Sequence, residues 1–175
     1  MSQKLAIQIG PRDHASGGER AALTLVEYGD YECGFCSRAY PIVKNVRRHF
    51  GDKLRFVFRN FPLRQNPHAQ VAAEFVEAAA AQGKFWEAHD MVYEHQSALE
   101  AVDLLDYALR LRLDEKRITL ELEQHVHLPR IKEDVDGGTR SGVDGTPAFF
   151  INGEKFEGDW GGPDFIAALT HQART

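Results

Sequence analysis

The chain of 175 residues contains two cysteines, two residues apart, as Cys33-Gly34-Phe35-Cys36. Thiols at this spacing in the first turn of a helix can close a small disulfide ring. The first turn carries N–H groups with no intrahelical acceptor, and the positive end of the helix dipole lies there. A sulfur at that point ionises readily. Cys33 is then the nucleophile, and Cys36, deeper in the helix, resolves the mixed disulfide. Two blander readings compete. A zinc half-site would need two further ligands, and the close pair His125 and His127 lies far downstream, outside familiar finger spacings. Unpaired cysteines are also often plain core residues. Placement between a strand and a helix favours the redox pair over both.

The elements around the pair can be read from pattern. Leu23–Gly29 is apolar and β-prone. A helix from Cys33 to Phe50 carries Tyr40, Val43 and Val46 at helical spacing, with Pro41 expected to kink it. Leu54–Asn60 reads as a second strand, so 23–60 form a β-α-β unit with a parallel pair and a right-handed crossover. A helical stretch follows. Asn66 is expected to cap its first helix with Pro67 at the first position, Val71, Phe75 and Ala79 line one face, and Gly83 ends it. Phe85, Trp86, His89, Val92 and Tyr93 form the next stripe, Leu104, Leu105 and Ala108 another. Ile118 and Leu122 suggest a fourth helix, and Pro129 opens a fifth to about Arg140. Ala148–Ile151 is a strand, Asn152-Gly153 a hairpin signal, and Lys155 and Phe156 belong to the partner strand. Gly161-Gly162-Pro163 opens a last helix through Ala168. In the lead-in, Leu5, Ile7 and Ile9 alternate as in a short edge strand. The order is β-α-β, helices, β-β-α: an α/β chain forming one domain over 1–175, with a helical insertion over 63–142.

Composition narrows the class. Hydrophobic residues make up 43% and charged residues 27%, which suits a folded core. A formal net charge of −5 argues against a general nucleic-acid or acidic-membrane binder. No stretch approaches the ~18–20 apolar residues of a membrane span. Lys4 is followed only by Leu5-Ala6-Ile7-Gln8-Ile9, shorter than the roughly 7–15 apolar residues of a secretory leader. The expected location is therefore cytoplasmic.

Glu27-Tyr-Gly-Asp-Tyr-Glu-Cys33-Gly-Phe-Cys36, followed downstream by Gly145-Thr146-Pro147-Ala-Phe-Phe-Ile-Asn-Gly153, resembles the DsbA-like branch of the thioredoxin-fold disulfide oxidoreductases. The resemblance covers about residues 10–172. It implies a thioredoxin fold, with a central mixed sheet and helices inserted between its two halves. Cys33 matches the attacking cysteine and Cys36 the resolving one. Pro147 matches the cis-proline facing the disulfide, which leaves the backbone of Thr146 free to pair with an extended substrate; without the cysteine motif, Thr-Pro would read as an ordinary trans turn. Glu27, on the strand before the motif, matches a buried acid. In apolar surroundings such a carboxylate has a raised pKa and can take the proton of the resolving thiol. The competing reading is an edge glutamate in water. Asp30 and Glu32 are expected on an exposed loop, and His68 as a polar residue of a helix's first turn. Tyr31, Phe35 and Phe61 are candidates to border the site.

Gly34 and Phe35 depart from a strongly oxidising pattern, because the dipeptide offers no histidine or other cation to hold the thiolate. The expected potential lies between those of thioredoxin and DsbA, about −270 and −120 mV. The expected substrates are protein or small-molecule disulfides and thiols, with a dithiol or glutathione as redox partner and no metal or organic cofactor. In a cytosol that keeps thiols reduced, the pair would rest as the dithiol. The alternative is a non-enzymatic redox-sensing or interaction module, disfavoured by the lack of an attached domain in this sequence. Chemistry on glutathione conjugates is disfavoured by the second cysteine.

Overall fold

The computed structural model describes residues 3–174. Its sheet has five strands: β1 (His14–Gly17), β2 (Leu23–Gly29), β3 (Leu54–Asn60), β4 (Ala148–Ile151) and β5 (Glu154–Lys155), in the order β1-β3-β2-β4-β5. The β2–β3 pair is parallel, and the β1–β3, β2–β4 and β4–β5 pairs are antiparallel. The parallel pair is joined by α1 (Gly34–Phe50) and a 3-10 turn at Gly51–Lys53. Five helices then separate β3 from β4: α2 (Ala69–Ala80), α3 (Phe85–Glu94), α4 (Ala101–Arg110), α5 (Glu115–Glu123) and α6 (Leu128–Arg140); α7 (Pro163–Gln172) closes the chain. This is the thioredoxin fold with helices placed between its halves.

β2 is the central strand, and its alternation decides what each face receives. Leu23 and Leu25 point into the larger core, with Phe56 and Phe58 of β3, Phe149 and Ile151 of β4, Val43 and Val46 of α1 and most of the buried residues of α2 and α3. Val26 and Tyr28 point to the other face, with Val57, Phe150, Leu5 and Phe61. Glu27 shares the parity of Leu25. A carboxylate is thereby placed on the apolar face against which α1 packs. At the end of β2 there is no room for a side chain: a Cβ on Gly29 would lie 2.5 Å from the Phe58 ring and 2.9 Å from the Tyr93 hydroxyl.

Two local expectations are corrected. The lead-in strand is not at Leu5–Ile9. Lys4 makes a single bridge to Glu154, and the carbonyls of Ile7 and Gln8 accept from the Arg59 guanidinium at 2.9 and 3.2 Å. With those acceptors taken, the edge strand forms later, at His14–Gly17. Asn66 does not cap α2; the N-cap position is His68, and the Asn66 amide donates to Asp30 at 2.8 Å. Helix α1 runs through Pro41 as one element.

Candidate active site

The loop after β2 delivers Cys33 to the N-cap position of α1 in extended conformation (φ −74°, ψ 122°), with no side chain capping the first turn. Its N–H donates to Asp30 O at 3.2 Å, and its carbonyl accepts from Ser37 N at 3.0 Å. The sulfur therefore occupies the place of a capping oxygen, facing the amides of the first turn. Cys33 is 7% exposed and Cys36 is fully buried one turn deeper. Both are free thiols. A hydrogen bond from the Cys36 thiol, then one involving Thr146 and those from the amides of Cys36 and Phe35, outweigh burial and bring the Cys33 pKa down to about 5. Burial, and then the bond given to Cys33, push the Cys36 thiol well above the ordinary range. The two sulfurs differ as an attacking and a resolving thiol must. The Asp30 N–H donates to Cys36 Sγ at 3.5 Å.

Thr146 and Pro147 face this pair. The Thr146–Pro147 peptide bond is cis, and Thr146 O lies 3.4 Å from Cys33 Sγ. A thiol donates to that carbonyl; a thiolate cannot. The buried Thr146 Oγ1 makes no hydrogen bond to any other group, which leaves its O–H for the charged sulfur, whose ionisation it favours. Glu27 is 2% exposed. Burial raises its pKa to about 8, against a smaller lowering by Arg47. Its charge is one of those that push Cys36 upward, so the acid and the resolving thiol share one buried field.

The aromatic candidates separate. Phe35 is 56% exposed, with the Arg38 guanidinium 4.4 Å from its ring centre. Two grooves flank it. One, of about 350 Å³, also involves Thr146, Pro147, Phe156 and Trp160; the other, of about 440 Å³, lies between Arg38, Ile42 and Trp160. Gly34 has open space where a side chain would stand. Tyr31 is buried, with its hydroxyl 3.0 Å from His89 Nδ1. Phe61 packs on the opposite face of the sheet and does not border the site. His125 contacts Glu74 and His127 contacts Glu121. Among the described residues no group of three or more His, Cys, Asp or Glu could hold a metal ion.

Asp30 corrects an expectation: it is 1% exposed and not on an open loop. Its carboxylate accepts from Leu63 N and Asn66 Nδ2 at 2.8 Å and from Glu32 N at 2.7 Å, which ties the cysteine loop to the segment after β3. The bond to the amide two residues on is the Asx-turn pattern, the signal by which the sequence could have revealed it. Glu32 is half-buried against His68. Gln96 Nε2 donates to Cys33 O at 2.7 Å, and Tyr93 Oη lies 3.4 Å from Asp30 O. Neither residue carries a sequence signal for this site. Alkylation of the reduced protein should follow a titration with its midpoint near pH 5 and level off by pH 7. A rate still climbing through pH 8.5 would show an unperturbed thiol.

The family model described as Thioredoxin matches residues 10–169. The chain belongs to the thioredoxin family. BdbD from Bacillus subtilis superposes with a TM-score of 0.85 at 19% identity, covering 99% of this chain and 100% of that one. A thioredoxin-like oxidoreductase from Silicibacter pomeroyi DSS-3 gives 0.82 at 23% identity, covering 94% of each chain. Similarity in sequence is higher to longer proteins. One from Salinispora arenicola, named Na(+)/H(+) antiporter NhaA 1, is 45% identical over 168 residues, covering 95% of this chain and 26% of the relative. A Herminiimonas arsenicoxydans protein named Na(+)/H(+) antiporter NhaA is 40% identical over 162 residues, covering 93% of this chain and 26% of the relative. The chain thus spans about a quarter of the length of the curated relatives it matches. Among its own described residues no helix is long and apolar enough to cross a membrane.

Proposed function

We propose that the chain is a thiol-disulfide oxidoreductase working through Cys33 and Cys36. The observation that carries this reading is the asymmetry of the pair, with Cys33 at about pH 5 and Cys36 pushed far up behind it. In the reductive direction the Cys33 thiolate attacks a substrate disulfide. One substrate sulfur leaves as thiolate and the other forms a mixed disulfide with Cys33. Glu27, as carboxylate, accepts the Cys36 proton; Cys36 then attacks Cys33 Sγ and expels the second substrate thiolate. Two electrons have passed to the substrate, and a dithiol or two glutathione molecules return them to the protein. Oxidation of a substrate dithiol is the same sequence reversed. Thr146 offers backbone to an extended substrate: among the described residues its N–H has no backbone partner. Phe35 and its flanking grooves offer apolar surface beside the sulfur.

The glutathione redox equilibrium tests this reading. A reversible disulfide with a potential between about −270 and −120 mV is the expected result. A value at or above the upper figure would show that the Gly34-Phe35 argument is wrong, and failure to form the disulfide would remove the reading altogether.

One observation favours a second reading. Relatives carry this unit as a quarter of longer proteins named as antiporters, which suits a redox-sensing module acting on an attached or separate partner. Insulin reduction by thiol donors separates the two. Turnover supports the enzyme; no turnover, with partner binding that follows the redox state, supports the module.

A further inference from the structure

His68 stands at the head of α2, and each of its ring nitrogens meets a carboxylate. Nδ1 lies 2.8 Å from Glu32 Oε1 and Nε2 lies 3.1 Å from Glu100 Oε1. The His68 backbone N–H donates to the other Glu32 oxygen at 2.6 Å. A neutral imidazole has one N–H and cannot donate from both nitrogens, whereas an imidazolium can. The geometry is that of a charged ring. Glu32, from the β2–α1 loop, and Glu100, from the head of α4, are the charged groups facing it, and the Glu32 hydrogen bond is the largest cause of its raised proton affinity.

Glu32 is the residue before the nucleophile. Its own N–H is held by Asp30, and the next carbonyl, that of Cys33, is held by Gln96 from the α3–α4 loop. The helical insertion therefore grips the cysteine segment at two consecutive residues, through His68 and through Gln96. Of these two grips, only the first can titrate.

We infer that His68 is a positioning residue of the disulfide-exchange site, holding Glu32 as an imidazolium and coupling its own protonation to the redox state of the Cys33–Cys36 pair. This rests on the oxidoreductase reading. In the dithiol form the Cys33 thiolate places a negative charge one residue from Glu32; forming the disulfide removes it. A cation beside Glu32 is favoured by that charge, so His68 keeps its proton more firmly in the dithiol form. Linkage makes the effect mutual, and the protonated ring favours the dithiol. Because the His68 pKa is raised, the grip is complete below the ordinary histidine value of about 6.5 and is lost as pH rises through the folded-state value. One carboxylate then loses its donor.

The test is NMR titration of the histidine ring signals in the full chain, as dithiol and as disulfide. The expected His68 pKa lies above the ordinary value in both forms and is higher in the dithiol by a few tenths of a pH unit. Glu32→Gln should lower it and remove the difference, while Glu100→Gln should lower it and keep the difference. His68→Gln should shift the glutathione equilibrium toward the disulfide by about twofold, the reciprocal of that pKa difference. A chain that forms its disulfide with His68 titrating alike in both forms overturns this inference alone. A chain that forms no disulfide overturns the oxidoreductase reading and this inference with it.

Discussion

Cys33→Ser should abolish insulin reduction, by roughly a thousandfold or more, because a serine hydroxyl neither ionises near neutrality nor forms the mixed disulfide. Cys36→Ser should also stop turnover, but at a different point: it should still attack once and hold the substrate as a mixed disulfide, visible by mass spectrometry as an adduct on Cys33. Equal loss of adduct and turnover in both variants would contradict the division of labour. The low pKa of Cys33 acts less on attack than is usually assumed. Lowering a thiol from about 8.5 to about 5 raises its thiolate fraction at pH 7 by roughly thirtyfold, but nucleophilicity falls by a similar factor at a Brønsted slope of about 0.45. What improves is departure. Cys33 becomes a good leaving group when a substrate thiol attacks the mixed disulfide, and its stabilised thiolate favours the reduced protein. In the proposed exchange such an asymmetry favours oxidation of substrate dithiols, with the net direction set by the redox partner.

Much of this site was legible because it is local. Cys33 and Cys36 are fixed by one helical turn; Glu27 is indicated through the family resemblance, while its residues alone leave a buried acid and an edge glutamate both open, and the register of β2 turns it to the face of Leu23 and Leu25. The thiolate's support also explains how a site can work without a cation between the cysteines: the Cys36 thiol, Thr146 and two backbone amides supply it. Amides are present at every helix start, so residue types alone do not reveal which ones reach a sulfur. What escaped the sequence joins distant segments with no period. Asp30 is buried only because Leu63 and Asn66 bring it donors from beyond β3. That contact also diverts Asn66 from capping α2. Gln96 and Tyr93 arrive from the helical insertion, where Tyr93 reads only as part of a helix's apolar stripe and Gln96, between α3 and α4, belongs to no pattern. The misplaced N-terminal strand has the same origin: a buried arginine claims the carbonyls that a ladder would need.

Glu27→Gln should make the reduced protein more stable in alkaline solution while slowing its chemistry. The wild-type carboxyl ionises at about 8 when folded and near 4.5, its unperturbed value, when unfolded. The folded chain therefore binds the extra proton across that interval, and stability falls as pH rises from about 4.5 to about 8. At 1.36 kcal/mol per pH unit, the loss is about 4–5 kcal/mol once both states are ionised. Glutamine is neutral throughout and lacks this decline. Urea unfolding of both proteins at pH 5, 7 and 9 should give a variant within about 1 kcal/mol of wild type at pH 5 and ahead by roughly 3–5 kcal/mol at pH 9. Asp30 and Asp134, also raised by burial, titrate in both proteins and cancel in the comparison. Parallel curves would mean that Glu27 is solvated, as the edge reading of the sequence had it. The catalytic effect runs the other way. In the proposed mechanism resolution needs Cys36 to lose a proton it holds tightly, and the Glu27 carboxylate is the base that takes it. Release of substrate from a preformed mixed disulfide should rise in wild type through pH 8, as Glu27 ionises, and should be slower in the variant by about a hundredfold without that rise. If Glu27 is the base, a group that costs the folded state several kcal/mol when charged must be charged to act, and the stability of this site is tied to its use: the variant that folds best at pH 9 should be the one that resolves its disulfides most slowly.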